Sequence, residues 1–553
     1  MMRVPSLDLH NYLQTRTTDL RVSQVDVTRQ IASAKKSKTA GGLGLDAQFA
    51  LGLRRQVSTL DAYERVSTNA LQRLKTVSMS LQAISNNLRS DDGLSEGLLD
   101  RMRAGNGEVD RLNGLNRQAE NDLNVYTGRL NSNHSGVFLF GGQKTDTPPV
   151  AYANEILEGT DTQIGLREAI RRRELADGIS GLGRLTLTDI PDLVPGATAN
   201  AVPAETATSF TLSDIQGRNS DRPIPQNFGF QITAIGGGMA NNGVARLTEA
   251  DPQNGINAAI RIDTDPPGPL NYLNGVSQHP STISVGQTLR ITLRLPDGTD
   301  KIIQLTARAA GVPAQGEDTF EVSASDHIAN ARNLHKALND AFTREAGRSL
   351  KAASNHQASV DMFAFPSRVV ADPQIYPDPE LIDHHDARFD LVSWYRGERA
   401  SEVEGPFAAR PWNSGEVTYG VRADQPDIAS VLRMTSLMAA VQTPPEQDLR
   451  GESHPYYLLL AKQNDGAGES APIAESQTNF HQLEGRIGLQ QQLLQEAKDR
   501  AKTLKDLSQT QLNDVEGADM AKVSSLATQL DVDIKILNQL TVRLLQNSLV
   551  NLL

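Results

Sequence analysis

The chain has 553 residues, long enough for about two to four domains, and a net charge of −12 at pH 7. The acidic balance argues against a nucleic-acid-binding surface, and the absence of cysteine excludes disulfides, thiolate metal sites and cysteine nucleophiles. No apolar run approaches the roughly 18 residues of a membrane helix, and the N-terminus has no signal-peptide core, so we expect no membrane span and no cleavable signal peptide.

The N-terminal part of the chain predicts three long amphipathic helices. The first has a heptad seam with two polar positions: Leu13, Thr17, Leu20, Gln24, Val27, Ile31 and Ala34. The second has one apolar face: Leu53, Leu60, Tyr63, Ala70, Leu74, Val77, Leu81, Ile84 and Leu88. The third extends from about Leu94 to Leu130, with Ala119, Leu123 and Tyr126 on its apolar face.

The segment between the first two helices contains a formal match to a nucleotide-binding motif. Residues Gly42 to Ala47 fit the pattern G-x-G-x-x-A. A dinucleotide fingerprint must follow a strand and open a helix, whereas this segment follows a helix. We therefore predict a connection between helices and no cofactor.

The segment GVFLFGGQKTDTPPV, Gly136–Val150, ends the N-terminal helical region. A short apolar strand is followed by two glycines and then by two prolines, which do not continue a helix. The sequence therefore predicts the exit from one domain here.

From about Ala151 to Tyr419 the chain is rich in Gly, Pro, Thr, Asn and Asp and predicts strands. Residues 288–307 alternate apolar and polar side chains on either side of the turn Pro296–Thr299, which predicts a hairpin. A strand at Thr319–Ser323 and a helix capped by Ser325 or Asp326 complete a predicted β-β-β-α module near residues 281–345. A second β-rich region is predicted around Phe210–Leu247.

The C-terminal stretch from Phe480 to Leu553 predicts two further amphipathic helices with a break at Asn513–Ala518. The expected apolar stripes are Leu483, Ile487, Leu494, Ala497, Ala501 and Leu504, then Val523, Leu526, Leu530, Ile534, Leu537, Leu540 and Leu544. We interpret Asp514 and Glu516 as charges at a helix start. A helix with one apolar edge needs partners, either in a self-contained bundle or in another subunit.

No catalytic set emerges from the sequence. Asp383–Asp386 (DHHD) has metal-capable side chains, but adjacent residues diverge in direction, and zinc ligands are usually spaced three or four apart. We therefore interpret it as a polar surface loop. Gly236–Gly238 lacks the Lys-Ser/Thr of a phosphate-binding loop and predicts a flexible turn. We expect no catalytic, cofactor-binding or metal-binding residues and no enzyme activity.

Four segments resemble the family of flagellin and the hook–filament junction protein (hook-associated protein 3). They are RVPSLDLHNYLQTRTTDL near the start, GVFLFGGQKTDTPPV at Gly136–Val150, VTYGVRADQPDIASVL at Val417–Leu432, and the final Val515–Leu553. The second resembles the junction protein more than flagellin. The resemblance covers about the first 150 and the last 135 residues.

The resemblance implies an α+β protein in which the terminal helices pair as a coiled-coil rod. Residues 1–145 and 420–553 would form the rod and residues 146–419 one or two inserted β-rich domains. It also implies type III export to the extracellular flagellum and a structural role at the hook–filament junction. The partners would be further copies in a helical ring, the other hook-associated protein, flagellin, and the export apparatus with its chaperone.

Two other functions remain open at this stage. One is a divergent flagellin that forms the filament itself. The other is a secreted β-rich binding module or enzyme on a coiled-coil stalk.

Overall fold

The protein combines long helices near both ends of the chain with small sheets between them, an α+β fold. The computed structural model describes residues 5–89, 109–190, 209–214, 227–249, 258–264, 283–313, 318–323, 326–371, 381–383, 390–398, 407–413, 415–441 and 473–550. The chain groups into two compact units. The terminal unit comprises Met1–Leu74, Ala408–Tyr419 and Gly488–Leu553, and the central unit comprises Lys75–Phe407 and Gly420–Ile487. The boundaries expected at 145/146 and 419/420 stay predictions.

The helices of the described residues are, in chain order, α1 Pro5–Ser33, α2 Ala47–Arg89, α3 Val109–Leu130, α4 Ala153–Glu158, α5 Leu166–Ala176, α6 Gly238–Asn241, α7 His327–Glu345, α8 Lys351–Phe363, α9 Pro426–Ala440, α10 Ile473–Glu516 and α11 Met520–Val550. A 3₁₀ helix, Ala40–Asp46, lies between α1 and α2 and contains the glycine pattern, so the predicted connection between helices is confirmed. A π-helical turn, Ala346–Leu350, joins α7 to α8.

The apolar face predicted for α2 is confirmed, because all of its members are buried except the half-buried Tyr63. In α1 the seam holds from Leu13 to Val27 and then ends. Ile31 is exposed, and Ala34 lies beyond the last helical residue with a positive φ of 53°. The part of the third predicted helix before Val109 lies outside the described residues.

Three of the described positions of the predicted C-terminal stripes are wrong, and the side chain of Leu544 lies outside the described residues. Leu504 of α10 and Leu526 and Leu540 of α11 are all exposed. Burial in α10 continues instead through Ala501, Ser508 and Leu512. These helices carry more apolar residues than one face can hold, so the spacing alone did not identify the covered ones.

The strands of the described residues are β1 Asn133–His134, β2 Val137–Phe138, β3 Leu185–Leu187, β4 Ser209–Asp214, β5 Gln231–Gly236, β6 Ala245–Thr248, β7 Ala259–Asp263, β8 Thr288–Arg294, β9 Asp300–Ala309, β10 Thr319–Val322, β11 Arg368–Val370, β12 Leu381–Asp383, β13 Phe407–Trp412 and β14 Gly415–Tyr419. Two four-stranded sheets have the orders β10-β9-β8-β5 and β3-β4-β7-β6, and the remaining strands form two-stranded pairs.

The predicted hairpin is confirmed as the antiparallel pair β8 and β9. Gly298, with a φ of 81°, supplies the left-handed residue that its turn needs. The parallel strand β10 and helix α7 follow as expected, and Asp326 caps α7 by accepting a hydrogen bond of 2.8 Å from the backbone N–H of Ala329.

The expected small module shares its hydrophobic core with the rest of the central unit. Strand β5 pairs with the free edge of β8, and one core connects both four-stranded sheets with α7. Its fully buried members include Leu212, Ile260, Ile262, Ile291, Leu293, Leu334, Leu338 and Phe342. The second sheet covers apolar surface that a β-β-β-α unit leaves exposed.

A buried ionic network ties helix α5 to the rest of the central unit. The Arg173 guanidinium contacts Asp177 at 3.0 Å and Asp361 at 3.2 Å, and all three side chains are buried. It also donates a hydrogen bond to the backbone carbonyl of Asn227 and lies 4.4 Å from the ring centre of Phe228. Each buried charge therefore depends on its partners.

We expect Arg173→Met to lower the free energy of unfolding of the central unit by about 3–5 kcal/mol. The substitution removes the cation that contacts Asp177 and leaves Asp361 with the more distant Arg368, at 3.9 Å. Denaturant unfolding followed by the fluorescence of the buried Trp394 measures this, in a Trp412→Phe background that removes the chain's second tryptophan. The control is Arg171→Met on the same helix, whose ion pair with Glu168 is largely exposed and should contribute about 0–1 kcal/mol. Equal losses for the two variants would contradict this account.

Candidate functional site

The candidate site lies where the two ends of the chain contact each other within the terminal unit. Helix α1 packs on helix α11 through Val27, Val523 and Leu530, with Leu20 and Ala527 beside them. These residues belong to the first and last predicted helices. The contact brings together residues about 500 positions apart in the sequence.

A short backbone bridge joins the turn after α1 to the turn between α10 and α11. The N–H of Ala518 donates to the carbonyl of Ala34 at 2.9 Å, and the N–H of Lys36 donates to the carbonyl of Glu516 at 2.8 Å. The positive φ of Ala34, unusual for a residue with a Cβ, turns the chain out of α1 and towards this bridge. The predicted break at Asn513–Ala518 is therefore confirmed, and its backbone is hydrogen-bonded to the turn after α1.

Glu516 forms the centre of this junction, which we call the Glu516 clasp, comprising Ala34–Lys36, Arg54 and Glu516–Ala518. One carboxylate oxygen contacts Arg54 Nε at 2.6 Å and the other contacts Lys35 Nζ at 3.3 Å, while the Glu516 side chain is only 6% exposed. The hydrogen bond from Arg54 is the main cause that lowers the pKa of Glu516. The same contact raises the pKa of Arg54.

The interpretation of Asp514 and Glu516 as helix-start charges is wrong. Both lie in the last turn of α10, where the helix dipole disfavours acids. Glu516 is stabilised there by its two cations, which come from positions 462 and 481 residues earlier in the chain. The nearest sequence signal is the basic cluster that begins at Lys35, which the sequence alone does not connect to an acid so far away.

A second set of contacts joins α2 to α10. Ala50 and Leu53 pack against Leu512, and Leu43 and Val515 lie beside them. Further along, Lys505 Nζ contacts Asp61 at 3.2 Å and also Glu64. The hydrogen bond to Glu64 is the main cause that raises the pKa of Lys505. Apolar contacts and opposite charges thus define which turns of α2 and α10 meet.

Helix α10 has a second apolar stripe that is not covered within the chain. It consists of Leu489, Leu493, Leu504 and Leu507, which are 38–59% exposed. With 3.6 residues per turn, these leucines fall roughly 100° around the helix from the buried Leu494, Ala501 and Leu512. We call this set the outer stripe. Helix α11 likewise exposes Leu526, Val532, Ile536, Leu540 and Val542.

The glycine- and proline-rich segment Gly136–Val150 is held by two distant parts of the central unit. The carbonyl of Phe140 accepts from the N–H of Ala423, and the carbonyl of Gly141 accepts from the N–H of Glu398. Val150 forms a bridge with Tyr395. The residues expected to mark a domain exit therefore lie where three segments of the chain meet.

Asp383–Asp386 and Gly236–Gly238 are the two segments whose residue types could bind a metal or a phosphate. Within the described residues, no three His, Asp or Glu side chains come together as metal ligands do. Asp383 ends β12, while His384–Asp386 lie outside the described residues. Gly236 ends β5, Gly238 begins α6, and Gly237 connects them with a φ of 92°. No helix in the described part of the chain is long and apolar enough to span a membrane.

Comparison with the models of known protein families and with curated proteins finds no match for this chain.

We expect Glu516→Gln to destabilise the terminal unit by about 1 kcal/mol, a modest figure because Arg54 and Lys35 are themselves half exposed. A carboxyl whose pKa is lowered by folding stabilises the fold above its unfolded pKa, and this contribution disappears as the pH falls through the folded value. The wild type should therefore lose stability below about pH 4.5 more steeply than the variant. Thermal unfolding by circular dichroism from pH 7 to pH 3 measures this.

The control is Glu496→Gln on the same helix, an exposed glutamate. It should follow the wild-type profile. Parallel acid profiles for wild type and Glu516→Gln would show that the clasp does not stabilise the fold.

Proposed function

We propose that the chain is a structural subunit of the bacterial flagellum that joins the hook to the filament. In this proposal the terminal helices pair as a coiled coil and polymerise, and the β-rich region projects from the polymer. The chain is exported by the flagellar type III apparatus, with a chaperone, and acts outside the cell. It contacts further copies of itself, the other hook-associated protein and flagellin.

The observation that carries this proposal is the outer stripe of α10. Its four leucines lie on a helix that already uses another face to contact α2. Surface leucines are common singly, but two pairs on the same side of one helix, Leu489 with Leu493 and Leu504 with Leu507, favour a partner helix. The exposed Glu496 and Arg500 lie between the two pairs. Two apolar faces in different directions let one helix contact its own chain and a neighbouring subunit.

Such a contact suits a polymer. The outer stripe on one copy would meet a different surface on the next copy, so the interface is heterologous and repeats along a helix without closing. Contacts between α1 and α11 and between α2 and α10 would supply a preformed unit that offers this surface. The four sequence segments that resemble the flagellin and junction-protein family support the same assignment.

Deletion of the gene distinguishes a hook–filament junction protein from a flagellin and from a secreted module. Negative-stain images of deletion cells should show hooks without filaments, and purified flagella should contain only a short ring of the protein. A filament made mostly of this chain would identify a flagellin. Intact, normal flagella in deletion cells would contradict a flagellar role and favour a secreted module.

The double variant Leu504→Ser, Leu507→Ser tests the surface itself. Both leucines are exposed, so the monomer should keep its free energy of unfolding to within about 0.5 kcal/mol for each substitution. The variant should be exported yet fail to restore filaments when expressed in deletion cells. Counting filaments per cell and protein in the medium measures both effects.

The matched control is Leu175→Ser with Val285→Ser, two exposed apolar residues of the central unit. That variant should restore filaments. Restoration by both double variants would show that the outer stripe contacts no neighbour.

A further inference from the structure

The outer face of the sheet β3-β4-β7-β6 presents two adjacent arginines. In the antiparallel pair of β6 and β7, Arg246 lies directly opposite Arg261. Both side chains are exposed, while the alternate residues of these strands, among them Ile260 and Ile262, are buried in the core. Directly opposed residues have Cβ atoms about 4.5–5.5 Å apart, so the two guanidinium groups share one small area.

This arrangement is unfavourable unless something compensates it, because like charges opposite each other destabilise a sheet. Neither arginine has a hydrogen-bond or ion-pair partner among the described residues. Among the described residues of these strands, the acid on the same face is Asp263, two residues from Arg261 and opposite Ser209. One carboxylate cannot neutralise two guanidinium groups.

In the other four-stranded sheet, β10-β9-β8-β5, three arginines have hydrogen-bond or ion-pair partners on an adjacent strand. On the outer face of β8 and β9, Arg290 donates to Gln304 at 3.0 Å and Arg294 contacts Asp300 at 3.1 Å. Arg308 contacts Glu321 at 2.6 Å. Each of these has a partner on the adjacent strand, whereas Arg246 and Arg261 have each other.

Hydroxyl side chains lie beside the arginine pair, on β6 itself and on β4 next to β7. Thr211 lies opposite Arg261 on its other side. Further hydroxyl residues on this face are Thr186, Ser209, Ser213 and Thr248. Hydroxyls donate and accept hydrogen bonds, as sugar hydroxyls do. Thr186 and Ser213 hydrogen-bond each other through their hydroxyls at 2.6 Å. The face thus offers two positive charges beside the hydroxyls of Thr211 and Thr248.

We propose that Arg246 and Arg261 bind the acidic group of a saccharide, a carboxylate or a sulfate ester, while the hydroxyls of Thr211 and Thr248 contact the sugar. Guanidinium groups match the paired oxygens of such anions through two parallel hydrogen bonds. The hydroxyls favour a sugar over a bare anion. Nucleic acid fits less well, because the net charge of −12 repels a polyanionic backbone and two arginines make few phosphate contacts.

The proposal goes beyond a role at the hook–filament junction and does not depend on it. The arginine pair belongs to the central unit, whereas polymerisation is assigned to the terminal helices. Loss of saccharide binding would leave filament formation intact, and the reverse also holds.

The test measures binding of the full-length chain to three polymers at low ionic strength by isothermal titration calorimetry. The probes are dextran sulfate, polygalacturonate and unmodified dextran, with inorganic sulfate as the bare anion. The wild type should bind at least one acidic polysaccharide, at least tenfold more tightly than inorganic sulfate at equal sulfate or carboxylate concentration, and should not bind dextran. Arg246→Gln and Arg261→Gln should each weaken this binding at least fivefold.

The control is Arg294→Gln, a partnered arginine on the neighbouring sheet, which should change the affinity less than twofold. The melting temperatures of the two site variants should stay equal to or above that of the wild type, since each removes a like-charge contact. Three results would overturn the proposal: no binding by the wild type, binding unchanged in the double variant Arg246→Gln, Arg261→Gln, or equal affinity for inorganic sulfate.

Discussion

A buried carboxylate is stable only beside cations, and the cations that contact Glu516 come from the N-terminal part of the chain. Lys35 follows α1 and Arg54 lies in α2, so one acid at the end of α10 joins the two N-terminal helices to the two C-terminal ones. The backbone bridge through Ala34 and Ala518 places α1 against α11 at the same point. The apolar contacts of both helix pairs depend on this alignment, because a shift by one residue would turn leucines away from their partners.

The two units are stabilised by different physical means. The terminal unit has long, thin contacts in which a few apolar residues alternate with ion pairs, such as Lys505 with Asp61. The central unit has a continuous core beneath two sheets and a buried network around Arg173. Under the proposed function, this difference would let the outer stripe contact neighbouring subunits while the central unit stays folded.

Periodicity predicts local structure well in this chain, because helix and strand spacing are properties of neighbouring residues. The helices around Leu74 and Leu494 and the hairpin at Leu293 were all expected. Which apolar face is covered depends on partners that the spacing does not name, and so Leu504 was assigned to the wrong face. The ion pairs of Glu516 connect residues more than 400 positions apart, which a single sequence does not reveal. The placement of Arg246 opposite Arg261 depends on the strand register, which a single sequence does not reveal either.

The most direct measurement of the central claim is the protection of a thiol placed on the outer stripe. The chain has no cysteine, so Leu504→Cys provides a single reactive site. The proposed function predicts that maleimide labels it quickly in the secreted monomer and at least tenfold more slowly in assembled flagella, because a neighbouring subunit would cover it there. Equal labelling rates in the monomer and in the assembly would show that this face stays in water, and would contradict the account.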